Sequence, residues 1–225
     1  MADPPTPVVM EIRHENKGRM LLLRLDDGRE LVYSQEACDR CSVRAGDAVD
    51  EAWLAAVDAA EQRLGAHEAA LRLLSHRARS ETEMRTRLKM RGFEPGAVDD
   101  EIERLQGAGL LNDEAFARAW VEDRKRLAPR GRRMLRYELL GRGIAPASVD
   151  VATESIDDEE TALALARVRA RGSALENWES FVTKVGGFLR RRGFEWSVVN
   201  RTTKSVWTEV TGRDPGRGAP ETGEE

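Results

Sequence analysis

Three times the chain writes a leucine, two variable residues, an arginine, a glycine and a large apolar residue. The copies are Leu88, Arg91, Gly92 and Phe93; Leu139, Arg142, Gly143 and Ile144; Leu189, Arg192, Gly193 and Phe194. The glycines stand 51 and then 50 residues apart. A fixed internal period of this size marks a repeat array, in which each copy is one supersecondary unit.

The register extends well beyond the glycine. Six residues on stand Val98, Val149 and Val199, and thirteen on stand Leu105, Ile156 and Val206. Four residues before each motif leucine stand Met84, Leu135 and Val185. An apolar pair at i and i+4 makes the inner face of a helix. The arginine falls in the last turn, where the helix dipole favours a cation. The glycine suits the left-handed residue just past a helix end, which other residues enter at a cost. The pattern predicts a helix, a tight turn and a second helix, three times over.

Punctuation between the copies supplies the rest. Ser80 with Glu83 and Asp157 with Glu160 have capping-box spacing, and Asn112 is a good N-cap followed by Asp113 and Glu114. Pro95, Pro129 and Pro146 open or separate helices. Helices are expected near 66–76, 80–91 and 97–106 in repeat one. Repeat two has them from Asp113 to Leu127, up to Arg142, and from Pro146 to Ser155. Repeat three has them at 159–171, 177–192 and 195–206. Ahead of the array, Val8–Glu15, Arg19–Leu25 and Glu30–Ser34 read as strands, with Asp27-Gly28 signalling a two-residue hairpin turn. A separate helix over 50–64, carrying Trp53, Leu54 and Val57, follows. The expected fold is mainly α: three tandem three-helix repeats in an elongated curved array, with a small N-terminal β-hairpin module. The parts are 1–62 (β-containing module), 66–110, 111–156 and 157–207 (repeats one to three) and 208–225 (a loose tail). Residues 1–7 are Pro-rich and expected to be disordered.

Charged residues make up 34% of the chain and aromatics 5%, a helix-rich profile. The net charge of −4 announces no polyanion partner, but the charges are segregated. Residues 1–60 sum to −5, whereas 75–92 sum to +4, 124–142 to +7 and 184–204 to +5. The middle helix of each repeat is therefore basic, and stacked repeats would align these helices as a stripe able to follow phosphates. The candidate contact residues are Arg85, Arg87 and Lys89; Arg124, Lys125, Arg130, Arg132, Arg133 and Arg136; and Arg190 and Arg191. With Leu135 and Leu139 facing the core, Arg130, Arg133 and Arg136 are expected on one outer strip. For any one helix a plain solvated face is the favoured explanation; three basic helices in register favour a polyanion or an acidic protein groove.

Catalytic patterns are absent. There is no P-loop, no G-x-G-x-x-G after a strand, no H-E-x-x-H and no G-x-S-x-G. Asp99-Asp100 and Asp157-Asp158 are read as helix-start carboxylates, and Trp120, Trp178 and Trp196 as core or inter-repeat packing. Cys38 and Cys41 have C-x-x-C spacing, but His14, His67 and His76 complete no ligand set, so reduced bystander thiols are expected, with no metal and no cofactor. No apolar run reaches the about 18 residues of a membrane span, and MADPPTPVV lacks a signal-peptide pattern, which points to a cytoplasmic chain.

The run Gly109-Leu110-Leu111-Asn112-Asp113-Glu114-Ala115-Phe116-Ala117, then Trp120-Val121 and Arg124, resembles the most recognisable segment of the RecX family, bacterial regulators of the RecA recombinase. Gly131, Leu139 and Arg142-Gly143-Ile144 fit that family's second repeat, and Leu88 with Arg91-Gly92-Phe93 fits its first. The resemblance covers about 66–206. It is weaker in the third repeat, where Phe188 and extra arginines replace the pattern around Glu138 and Gly141. It implies a non-enzymatic modulator, binding the groove of the RecA–single-stranded DNA filament and mainly inhibiting strand exchange and ATP hydrolysis. The implied partners are the RecA filament and single-stranded DNA, with duplex DNA as a further option; a monomer is expected. The residues leave two alternatives open: a stand-alone DNA-binding protein or transcription regulator built on helical repeats, and a repeat scaffold with a protein partner only.

Overall fold

The computed structural model describes residues 6–171 and 177–215. Expectations for residues 1–5 and for the tail beyond 215 lie outside these. The chain forms two compact units, one up to Leu111 and one from Asn112.

The first unit opens with a three-stranded antiparallel meander, β1 (Val9–Glu15), β2 (Met20–Leu25) and β3 (Glu30–Ser34). The β2–β3 loop has three residues, because Leu25 N donates to Arg29 O across Asp26, Asp27 and Gly28. Within the loop only Gly28 has positive φ, at +87°. A two-residue turn on Asp27-Gly28 would require both residues there, so the longer loop with a left-handed glycine forms instead. Pro7 is tied down: its carbonyl accepts from Val49 N at 2.7 Å. A short helix absent from the sequence expectation, α1 (Gln35–Cys41), follows, with Ser34 Oγ accepting from Ala37 N.

The largest departure is α2 (Glu51–His76), one uninterrupted 26-residue helix where two were expected. Gly65 sits inside it. A Cβ there would lie 2.9 Å from the Phe93 ring, so this glycine admits a packed aromatic rather than ending the helix. At 1.5 Å per residue α2 is about 39 Å long, enough to serve two cores. Val57 and Ala60 in its first half pack with Leu21, Leu23, Ala37 and Cys38. Ala69, Ala70 and Leu73 in its second half pack with Met84 and Leu88 of α3 (Glu81–Lys89) and with Val98, Ile102 and Leu105 of α4 (Pro95–Gly107). The β module therefore shares a helix with repeat one.

The second unit holds α5 (Asp113–Leu127), α6 (Arg132–Leu140) and α7 (Pro146–Thr153), then α8 (Asp158–Arg171). Next comes a helical run of α9 (Trp178–Phe181), a π turn (Val182–Gly186) and α10 (Gly187–Arg191), and finally α11 (Trp196–Thr211). Each repeat keeps its own core. Phe116, Val121, Leu135, Leu139, Val149 and Ile156 form one; Ala166, Phe181, Val185, Leu189, Val199 and Val206 form the next.

The repeat register holds in detail. Gly92, Gly143 and Gly193 have φ of +85°, +79° and +87°. After each glycine the next N–H donates to the motif leucine carbonyl: Phe93 to Leu88, Ile144 to Leu139, Phe194 to Leu189. This six-to-one bond closes the helix end and folds the apolar residue back onto it. The caps at Ser80, Asn112 and Asp157 form as expected, accepting from Glu83 N, Ala115 N and both Glu159 N and Glu160 N. Asp99 and Asp100 do not cap; they lie in the second turn of α4 and pair with Arg85 and Arg63. Among the described residues no helix is long and apolar enough to cross a membrane.

Candidate functional site

The basic middle helices divide into internally paired and unpaired cations. In repeat one, Arg85 is half-buried and pairs with Glu81 at 2.7 Å and with Asp99 of α4, so it ties two helices together. Arg87 and Lys89 are exposed and have no partner among the described residues.

In repeat two most bases of the +7 stretch are internally engaged, two of them at Glu138, whose side chain is only 12% exposed. Glu138 Oε2 accepts from Arg124 Nε at 2.9 Å and from Trp120 Nε1 at 2.8 Å, and its Oε1 lies 3.1 Å from Arg130 Nε. The Arg142 and Arg124 guanidiniums stack on the Trp120 ring, 3.6 and 4.1 Å from its centroid. A nearly buried carboxylate with several charge-assisted donors is satisfied, and it holds its cations in place. Arg136 pairs with Asp150, and Lys125 with Glu122 at 2.9 Å. Arg132 acts on backbone: its guanidinium donates to Ile156 O at 2.6 Å and its own N–H to Asp158 Oδ1 at 2.8 Å. Arg130 does not share an outer strip with Arg133 and Arg136. It precedes Gly131, the N-cap of α6, and its side chain turns back to Glu138. Arg133 alone of these candidates is exposed without a partner among the described residues.

In repeat three Arg190 and Arg191 are both exposed, and Arg190 lies 5.9 Å from the centroid of Trp196. Trp120 and Trp178 pack against cores as expected, whereas Trp196 is 60% exposed. It follows Glu195, the N-cap of α11, and lies off the stripe of Val198, Val199, Thr202, Thr203 and Val206 that α11 buries. Arg192 was not among the candidates, yet it fastens repeat three to repeat two. Its Nη1 donates to Pro129 O at 2.8 Å and its carbonyl accepts from Gly131 N at 2.9 Å. A Cβ on Gly131 would sit 2.6 Å from Gly193 O, so the two backbones meet where neither has a side chain.

The CxxC pair lies on α1. Burial first, then Glu61, Cys41 and Asp39, pushes the Cys38 thiol up to about 11. Redox cysteines need the opposite shift.

The comparisons with known proteins agree with the repeat geometry. The family model described as RecX, first three-helix domain, matches residues 66–105, and that described as RecX, second three-helix domain, matches 112–152. A regulatory protein RecX of Chlorobium phaeobacteroides is 32% identical over 143 residues, which are 63% of this chain and 93% of that one. The chain belongs to the RecX family. The regulatory protein RecX of Streptomyces coelicolor is 31% identical over 142 residues, covering 62% of this chain and 76% of its own length. A crystal structure of regulatory protein RecX superimposes with TM-score 0.66 at 23% identity, over 87% of this chain and 98% of that chain. RecX from Lactobacillus salivarius does so with TM-score 0.60 at 20% identity, over 65% and 97%. These two show that the RecX fold is kept. RecX proteins are a family of regulatory proteins, and this chain is one of them.

Proposed function

We propose that this protein binds the filament a RecA recombinase forms on single-stranded DNA, and lowers strand exchange and ATP hydrolysis there. It works as a non-enzymatic cytoplasmic regulator and as a monomer. The observation that carries the reading is the set of exposed, internally unpaired cations on the middle helices: Arg87, Lys89, Arg133, Arg190 and Arg191. Unpaired surface cations of one sign repel each other, and a polyanion or acidic protein groove relieves that repulsion.

The test is ATP hydrolysis by the cognate RecA on single-stranded DNA, with and without this protein. Hydrolysis should fall as the protein is added, and less so as salt rises. An unchanged rate at saturating protein overturns the reading. Tight, sequence-preferring duplex binding without recombinase would favour a stand-alone DNA-binding regulator instead.

A further inference from the structure

Two aromatic side chains stand well exposed among the described residues, Tyr137 at 74% and Trp196 at 60%, and of the two only Trp196 borders a cleft with arginines. It stands at the first position of α11 and borders a cleft of about 340 Å³ lined by Arg133, Arg190, Phe194 and Trp196. Phe194 is buried and closes the floor. Arg133 comes from α6 of repeat two and Arg190 from α10 of repeat three, so the cleft exists only when those two repeats are docked. The docking is specific: it uses the Gly131–Gly193 backbone approach and the Arg192–Pro129 hydrogen bond.

Neither Arg133 nor Arg190 has an ion-pair or hydrogen-bond partner among the described residues. Nearly every other candidate arginine of repeat two is held by a carboxylate or a carbonyl. Arg190 touches the Trp196 ring only at long range, 5.9 Å from its centroid, and neither arginine is taken up by a carboxylate. The chemistry fits a ligand with a flat apolar face and flanking negative charge. A nucleobase stacks on an indole whatever its identity, and guanidiniums take phosphate oxygens in a planar fork. Duplex DNA keeps its base faces covered, so the ligand is single-stranded. The adjoining cleft is of mixed charge: it carries Glu154, Asp157, Asp158, Glu159 and Glu195, and also Arg132, Arg133 and Arg136.

We propose that Trp196, with Arg133 and Arg190, forms a stacking site for one base of single-stranded DNA, the two arginines gripping the phosphates on either side. The proposal deepens the reading above and rests on it for the source of the strand.

The experiment follows tryptophan fluorescence of the full chain titrated with a short oligothymidylate, and with an abasic oligomer of the same length. No recombinase is present. Oligothymidylate should quench the emission and bind more tightly than the abasic strand. Trp196→Phe should abolish most of the quench and keep the affinity within about threefold. Trp196→Ala should bind about tenfold more weakly, from the loss of one stacked base. Arg133→Glu with Arg190→Glu should weaken binding further and flatten its salt dependence. Circular dichroism checks that each variant keeps its helices. Equal affinity of Trp196→Ala and the parent chain, or of the abasic and thymidine strands, overturns the proposal. So does a variant that binds DNA normally but no longer slows the RecA ATPase, because the face would then dock on protein. Weakened DNA binding in the variants, with no ATPase effect by the parent chain, would sustain the stacking site and remove the filament reading.

Discussion

Glu138 shows how much one residue can decide. It is the single acid among eight bases over 124–142, and its burial turns neighbouring cations into structure. Glu138→Ala leaves Arg124, Arg130 and the Trp120 N–H without their acceptor. With the arginines still partly in water, the expected cost is about 1–3 kcal/mol, read as a lower midpoint in denaturant unfolding. The repeat glycines make a second comparison. Gly92→Ala meets no neighbour and bears only the left-handed backbone penalty of about 1–2 kcal/mol. Gly193→Ala bears the same penalty and also drives a Cβ into Met134. It should unfold at distinctly lower denaturant than Gly92→Ala; equal midpoints would remove the close approach of the repeats.

At the scale of elements, two helix starts respond to pH in opposite senses. Burial opposes ionisation of Glu83, but hydrogen bonds and charge from Arg77 and Arg79 outweigh it and hold the carboxyl below its ordinary value of 4.5. A depressed folded-state pKa adds stability that is present above the ordinary value and is lost as pH falls through the folded one. Glu83→Gln should therefore weaken the protein at pH 7 and flatten its loss of stability in acid, measured by unfolding across pH 3–7. Asp158 at the start of α8 is the opposite case. Burial raises its pKa above the ordinary value despite the hydrogen bond from Arg132 N. Its charge thus opposes folding at neutral pH, and stability from this group grows as pH falls through the raised value. Asp158→Asn keeps an acceptor for Arg132 N and removes the charge, so its melting temperature at pH 7 should equal or exceed the parent's. Asp158→Ala should melt lower.

For the whole molecule, charge counting and charge availability are different quantities. Reversing Arg130, Arg133 and Arg136 together would damage the Glu138 and Asp150 pairs as well as any binding face. The cleaner probe is Arg87→Glu, Lys89→Glu and Arg191→Glu, which breaks no ion pair among the described residues. This triple variant should keep its melting temperature and lose most of its inhibition of RecA ATP hydrolysis. Charge reversal at Asp26 and Asp27 of the acidic module should change inhibition little. Full inhibition by the triple variant would mean that these cations only solvate the helices.

The 50-residue period, the left-handed glycines, the helix caps and the three strands were legible in the sequence, because each depends on residues a few positions apart. A helix end needs its glycine next to it, and an inner face needs its apolar residues at i and i+4. The continuity of α2 was hidden, since the pattern divides into one helix over 50–64 and another over 66–76, and only the tertiary structure shows Phe93 packed over the glycine between them. The basic candidates were legible only as a charge density. Which arginines are free was decided by tertiary structure, because their partners are distant in the chain: Arg124 finds Glu138, Arg136 finds Asp150, and Arg192 finds Pro129, 63 residues away. The same holds for Trp196, whose setting exists only where two repeats meet. Local propensity acts over one or two helical turns, whereas the pairing of a surface charge is set by which helices are packed side by side.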